Sequence, residues 1–340
     1  VSNPEESKKQ RLLQRLKDLG LPAAAAVGAF SSLTKAEPPK AAQPAAPLVQ
    51  IDLSKPFSSS YKYSLSFVLG KGSSLFSHGL TGIAVDAADR IYVLSDGQIS
   101  IFNPGGDLVR KWKAPEGATC LAVNPDKKVL IGIPGRVAFY NNEGKNLGGF
   151  TVGETGKPAS ITSIKAVRNE ILIADATARH IRRFNLEGRQ IGELGIKSQP
   201  GFMLPNRSFD IAVDAQGVIW ATDPGRHRVS SWNSDGVRIG HFGKFGQQNV
   251  ADFVGCCNPV NLAIAPDGKI ITGEKVKARV KVFGSDGKLL ALIGPEHFDQ
   301  KAAHLYLAVD SKGRIIIADP VRLDVKIFSP AVHSEVRKSL

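Results

Sequence analysis

The stretch "GCCNPVNLAIAPDG", residues 255–268, places two of the chain's three cysteines side by side. Three chemistries are open to such a pair: a thiolate metal site, a dithiol redox centre, or a structural clip. A zinc site takes four ligands, with cysteines spaced so that both sulfurs face the metal. Side chains of adjacent residues in an extended chain diverge, which argues against metal, and the C-x-x-C spacing of thioredoxin-type centres is absent. Two readings stay open for Cys256 and Cys257: a vicinal disulfide, or two free, small apolar side chains. The Asn258-Pro259 pair that follows marks a turn in either case.

Histidines and carboxylates offer a second chemistry. His78, Glu116 and His304 could hold a divalent metal with an open position for water or substrate. Basic side chains offer a third. Arg179, His180, Arg207, Arg226, His227, Lys275, Lys277 and Arg322 all lie in irregular segments, where they could meet an acidic partner. The chain carries 44 basic against 31 acidic residues, net +13. Residues 1–50 hold 7 basic and 4 acidic residues, so the excess belongs to the body of the chain and not to a tail. Such a bias favours acidic partners, although it also serves solubility alone. No nucleophile elbow, P-loop or dinucleotide fingerprint occurs in a supporting context.

The elements that must position these residues repeat along the chain. Hairpin-like segments recur at "GIAVDAADRIYVLSD" (82–96), "CLAVNPDKKVLIGI" (120–133), "SIKAVRNEILIAD" (163–175), "DIAVDAQGVIWATD" (210–223), "NLAIAPDGKIITGE" (261–274) and "YLAVDSKGRIIIAD" (306–319). Each is an apolar run, a turn of Asp, Asn or Gly, and a second apolar run. A third strand and a second turn follow, as in "ISIFNPGGD" and "VKVFGSDGK", and then a fourth strand. Ile83 and Leu307 are separated by five repeats of about 45 residues. Four antiparallel strands per repeat without helices predict an all-β fold, a six-bladed β-propeller. The sixth repeat lacks its fourth strand, and "KYSLSFVLGKG" (62–72) has that strand's pattern. The N-terminal strand is therefore expected to close the ring and remove an open edge.

The segments "IAVDAQGVIWATDPGRHRVSSWNSDG" (211–236) and "LAVDSKGRIIIADPVRLDVKIF" (307–328) resemble the NHL-repeat six-bladed β-propeller family. The resemblance covers about residues 62–330. It implies the fold, and it leaves function broad. NHL propellers include protein-binding and RNA-binding modules, and relatives such as peptidyl-amidoglycolate lyase, gluconolactonase and streptogramin lyase are metal-dependent enzymes.

Strand parity places the loops between second and third strands, and those between blades, on one face. By register His78, Glu116, Arg207, Cys257 and His304 are expected to converge at the channel mouth on that face, with Asn258 beside them. Mouths of ring-shaped folds are habitual ligand sites. The loop arginines have a structural alternative, an ion pair with the strand-end carboxylates Asp175, Asp223 and Asp319. The basic loops lack aromatics, which argues against nucleic acid.

Two domains follow: a leader-like basic and Ala/Pro-rich segment with linker at 1–50, and the propeller at 51–340. The order of charges, weakly apolar residues and proline in 1–50 predicts export, to a bacterial periplasm, with a peripheral or leader-mediated membrane contact. The segment lacks the Arg-Arg pair of twin-arginine leaders. No run of 18 apolar residues occurs. The expected function is a non-enzymatic binding or scaffold propeller with no cofactor, taking a protein partner or acidic ligand on the basic loop face. The alternative is a metal-dependent lyase or hydrolase at the channel mouth.

Overall fold

The computed structural model describes residues 61–70, 75–195 and 201–331. The leader-like segment 1–50 lies outside them. Six four-stranded antiparallel sheets form the blades. Their first strands are Leu80–Val85, Cys120–Val123, Ile161–Val167, Ile211–Val213, Asn261–Ile264 and Tyr306–Val309. Burial peaks in the second strands and is lowest in the outermost. The second strands Ile91–Ser95, Ile219–Asp223 and Ile315–Asp319 are buried at every position, because neighbouring blades cover both faces. The outer strand Leu108–Lys113 is mostly exposed. A short hairpin, Gly153–Glu154 with Lys157–Pro158, sits in the loop entering blade 3 and has no counterpart in the repeat pattern.

The expected closure is present. Tyr63–Leu69 pairs antiparallel with Asp324–Pro330, from Tyr63 opposite Pro330 to Leu69 opposite Val325. The apolar side chains gather into one cluster per blade interface. At the closing interface Leu69, Ile316, Val325 and Ile327 meet Ile83, Val93 and Phe102 of blade 1. Polar stitches cross the same seam. Ser311 donates to Asp89 from its backbone N (2.8 Å) and its Oγ (2.7 Å), and Arg314 donates to the Pro104 carbonyl (3.0 Å).

The turn residues that mark the repeat have a mechanical reason. Asp214 Oδ1 accepts the backbone N–H groups of Gln216 (3.0 Å) and Val218 (2.9 Å), which fixes the turn between first and second strands. Asp86 and Asp310 do the same in blades 1 and 6. In the turn between third and fourth strands, glycine is required twice over. Gly188 has φ +82°, and a Cβ there would lie 2.4 Å from the ring of Phe150 in the preceding blade. Gly106 repeats this against Phe67 of the closing strand, at 2.8 Å. The positive φ excludes most side chains, and the close ring excludes the remainder.

Candidate functional site

On the loop face, strand-end carboxylates organise the backbone before any ligand is considered. Each catches an N–H of the incoming inter-blade loop: Ser77 to Asp96 (2.9 Å), Met203 to Asp223 (2.9 Å), Val254 to Glu274 (3.4 Å) and Asp299 to Asp319 (2.8 Å). This network absorbs part of the predicted basic set. Arg226 donates to Asp223 (2.8 Å) and to the Gly201 carbonyl (3.2 Å). Arg322 donates to the carbonyls of His297 and Phe298, both at 2.9 Å. Both arginines therefore clamp an inter-blade loop to its blade, the structural alternative expected for loop arginines. His180 is also structural. It is buried, its Nε2 lies 3.6 Å from Glu193, and burial holds its pKa below the usual range. His227 packs its ring edge-on against Phe245 at 5.0 Å.

The rest of the set faces solvent. Arg179, Arg207 and Lys277 are exposed and Lys275 is half-buried. None of the four forms a salt bridge among the described residues. Apolar side chains with no counterpart among the predicted site residues lie in loops of the same face: Met203 (45% exposed), Phe245 (54%), Val276 (59%) and Val321 (43%). Exposed cations without carboxylate partners and exposed apolar groups thus occur in loops of the same face.

The cysteine pair splits between surface and interior. Cys256 is exposed and Cys257 is buried. Both are free thiols, with Sγ atoms 3.0 Å apart, so the pair is not bridged as it stands in this structure. Asn258 is wholly buried. Its Nδ2 donates to the carbonyls of Val254 and Lys275, and its Oδ1 accepts from Lys275 N (2.9 Å). The clamp ties the cysteine loop to the loop of Lys275. The thiol of Cys257 and the ammonium of Lys275 both favour the Cys256 thiolate and lower its pKa, whereas burial raises that of Cys257.

Deeper in the channel, residues one step before the first-strand anchors form a column around the ring: Gly82, Cys120, Ser163, Asp210, Asn261 and Tyr306. Asp210 Oδ2 accepts Leu262 N (2.9 Å), and Asn261 Oδ1 accepts Leu305 N (3.2 Å). Polar side chains thus bind blade 4 to blade 5 and blade 5 to blade 6. His304 stacks on Tyr306 with centroids 5.5 Å apart, and burial and then Lys275 lower its pKa. Burial pushes Cys120 and Tyr306 up to about 12, so both are protonated near neutrality. Comparing the copies column by column would have exposed Asp210 and Asn261.

The predicted metal ligands are not assembled. His78 has 86% of its side chain exposed and lies 3.6 Å from Asp96. Glu116 is exposed, and His304 stacks on Tyr306. Among the described residues no three His, Cys, Asp or Glu side chains gather into a metal-sized group.

A cavity of about 330 Å³ opens at the opposite mouth, lined by Asp86, Asp89, Asp214, Pro266 and Asp310 among others. Its carboxylates already have partners. Burial opposes ionisation of Asp86, but Arg90, the backbone N–H groups of Arg90 and Ala88, and Tyr92 outweigh it and hold its pKa low. These groups serve the turns.

No protein-family model and no curated protein matches the chain. Solved structures do. A catalytically inactive virginiamycin B lyase from Staphylococcus aureus, solved with quinupristin, aligns with TM-score 0.54 at 13% identity, over 80% of this chain and 99% of that one. A structural-genomics protein of unknown function from Bacteroides thetaiotaomicron aligns with TM-score 0.56 at 14% identity, over 76% and 71%. The WD40 β-propeller domain of Doa1 aligns with TM-score 0.51 at 16% identity, over 74% and 78%. The likeness is one of fold. At these identities the propeller architecture is shared, and the activity of none of the three transfers with it.

Proposed function

We propose that this chain is a non-enzymatic, NHL-type binding propeller that takes a protein partner on its loop face, through acidic and apolar side chains of that partner. One observation carries the reading: Arg179, Arg207, Lys275 and Lys277 lack carboxylate partners and share the face with exposed Met203, Phe245, Val276 and Val321. Buried aromatic and apolar anchors supply most binding energy at protein interfaces, and complementary charge supplies orientation and rate. Among the described residues no helix is long and apolar enough to cross a membrane. Export, carried by the leader-like order of residues 1–50, belongs to the same reading.

Selection from a random peptide library tests it. Selected peptides should combine Asp or Glu with apolar residues. A triple variant Arg179→Glu, Arg207→Glu, Lys277→Glu should weaken their binding by about threefold or more, since each lost charge contact is worth about 0.2–1 kcal/mol. The control triple Lys145→Glu, Arg189→Glu, Lys288→Glu alters net charge equally in exposed turns on the opposite face and should bind nearly as the parent. Equal loss in both triples would reduce the effect to net charge and refute the assignment of the face.

A further inference from the structure

We propose that Cys256 and Cys257 form a dithiol–disulfide pair that exchanges with small external disulfides at the channel mouth. Accessibility, contact and charge support it independently. Cys256 is exposed, so an incoming disulfide reaches its sulfur, whereas Cys257 is buried. The second sulfur is held 3.0 Å away, in contact with the first. Lys275 supplies positive charge to both thiols, and the Asn258 clamp holds its loop against the cysteine loop. Cys256 resembles the attacking thiol of an exchange pair and Cys257 the resolving one, because the thiolate is the nucleophile and its charge must be stabilised.

The steps balance with a disulfide RSSR as oxidant. The Cys256 thiolate attacks one sulfur of RSSR and forms a mixed disulfide. The other sulfur leaves as RS⁻ and takes up the proton that Cys256 released. Cys257 then loses its proton to water, attacks Cys256 Sγ and expels the second RS⁻, which is protonated in turn. Two protein thiols are oxidised to one vicinal disulfide, and one RSSR is reduced to two RSH. Reduction runs the same sequence backward. Cys120 is buried in the channel with its pKa pushed up to about 12 by burial, which makes it an internal control.

The experiment equilibrates the full chain with mixtures of reduced and oxidised glutathione, quenches with acid, and maps cysteine-containing peptides by mass. The tryptic peptide 245–269 contains Cys256 and Cys257 and excludes Cys120. It should lose about 2 Da as the mixture becomes oxidising, the signature of a closed pair. Cys257→Ser should stop at one glutathione adduct on Cys256, and Cys256→Ser should stay unmodified. If Cys257→Ser fails to fold, the parent peptide still decides. A parent whose two cysteines remain thiols, or accumulate stable glutathione adducts, in the most oxidising mixture overturns the proposal.

Discussion

Removal of residues 61–69 should cost the propeller a large part of its stability. The deleted strand supplies the whole backbone ladder opposite Asp324–Pro330, from Tyr63 to Leu69. It also removes Leu69 from the closing cluster and Phe67 from its place against Gly106. Burying one large apolar side chain is worth about 1.5–3 kcal/mol, so buried Leu69 with half-buried Tyr63 and Phe67 amounts to about 5 kcal/mol. Whole domains are stable by only about 5–15 kcal/mol. The exposed third strand of blade 6 would also offer an unpaired edge for self-association. Urea denaturation followed by fluorescence should show a much lower midpoint, and size exclusion should show higher oligomers. A synthetic peptide of residues 60–70 added in trans should raise the midpoint again. An unchanged midpoint would mean that the ring does not depend on this strand.

The second large effect concerns a buried charge cluster in blade 5. Glu274 is fully buried, accepts both Nε and Nη2 of Arg279 at 3.2 Å, and pairs with the equally buried Lys281. Lys281 also donates to the Asp252 carbonyl (2.6 Å) and stands over the Phe253 ring at 4.8 Å. Burial lowers its pKa to about 8, with Glu274 opposing the fall. Glu274→Ala should cost about 3–5 kcal/mol by leaving buried cations without their anion. The sign of the pH dependence follows. A lysine that titrates lower in the folded than in the unfolded chain destabilises while both forms are charged. That penalty is relieved as pH rises from the folded value toward the unfolded value of 10.5. Without Glu274 the folded value falls further, so the variant should regain urea stability between pH 7 and 9 more steeply than the parent. Glu274→Leu combined with Lys281→Met should recover the share of the loss due to Lys281, while Arg279, which keeps only the Asp252 carbonyl, retains its own share. A single variant within about 0.5 kcal/mol of the parent, the range of neutral surface changes, would show that the cluster has no such role.

The sequence revealed most where the repeat constrained it. Asp, Asn and Gly recur at fixed places because each turn needs a side-chain acceptor or a positive φ, and those needs are local. Ring closure was legible for the same reason, since residues 62–72 carry the missing strand's pattern. The hairpin at Gly153–Glu154 belongs to one loop alone, so no repeat announced it. Side-chain destinations in the loops were less accessible still. Arg226 and Arg179 occupy comparable loops, yet one reaches Asp223 and the Gly201 carbonyl while the other faces solvent, a difference set by the path of a separate inter-blade loop. The fates of Cys256 and Cys257 diverge because the irregular backbone turns one sulfur outward and buries the other. Asp210 and Asn261 were missed because their partners lie one blade away.

The central claim is that the loop face, and not the cavity at the opposite mouth, is where this propeller binds. Hydrogen–deuterium exchange with a selected acidic peptide bound locates the contact directly. Slowed exchange is expected in residues 176–180, 201–209, 244–257, 275–279 and 320–322, with 86–90, 214–218, 265–269 and 310–314 unchanged. Protection confined to those four turns around the 330 Å³ cavity would contradict it.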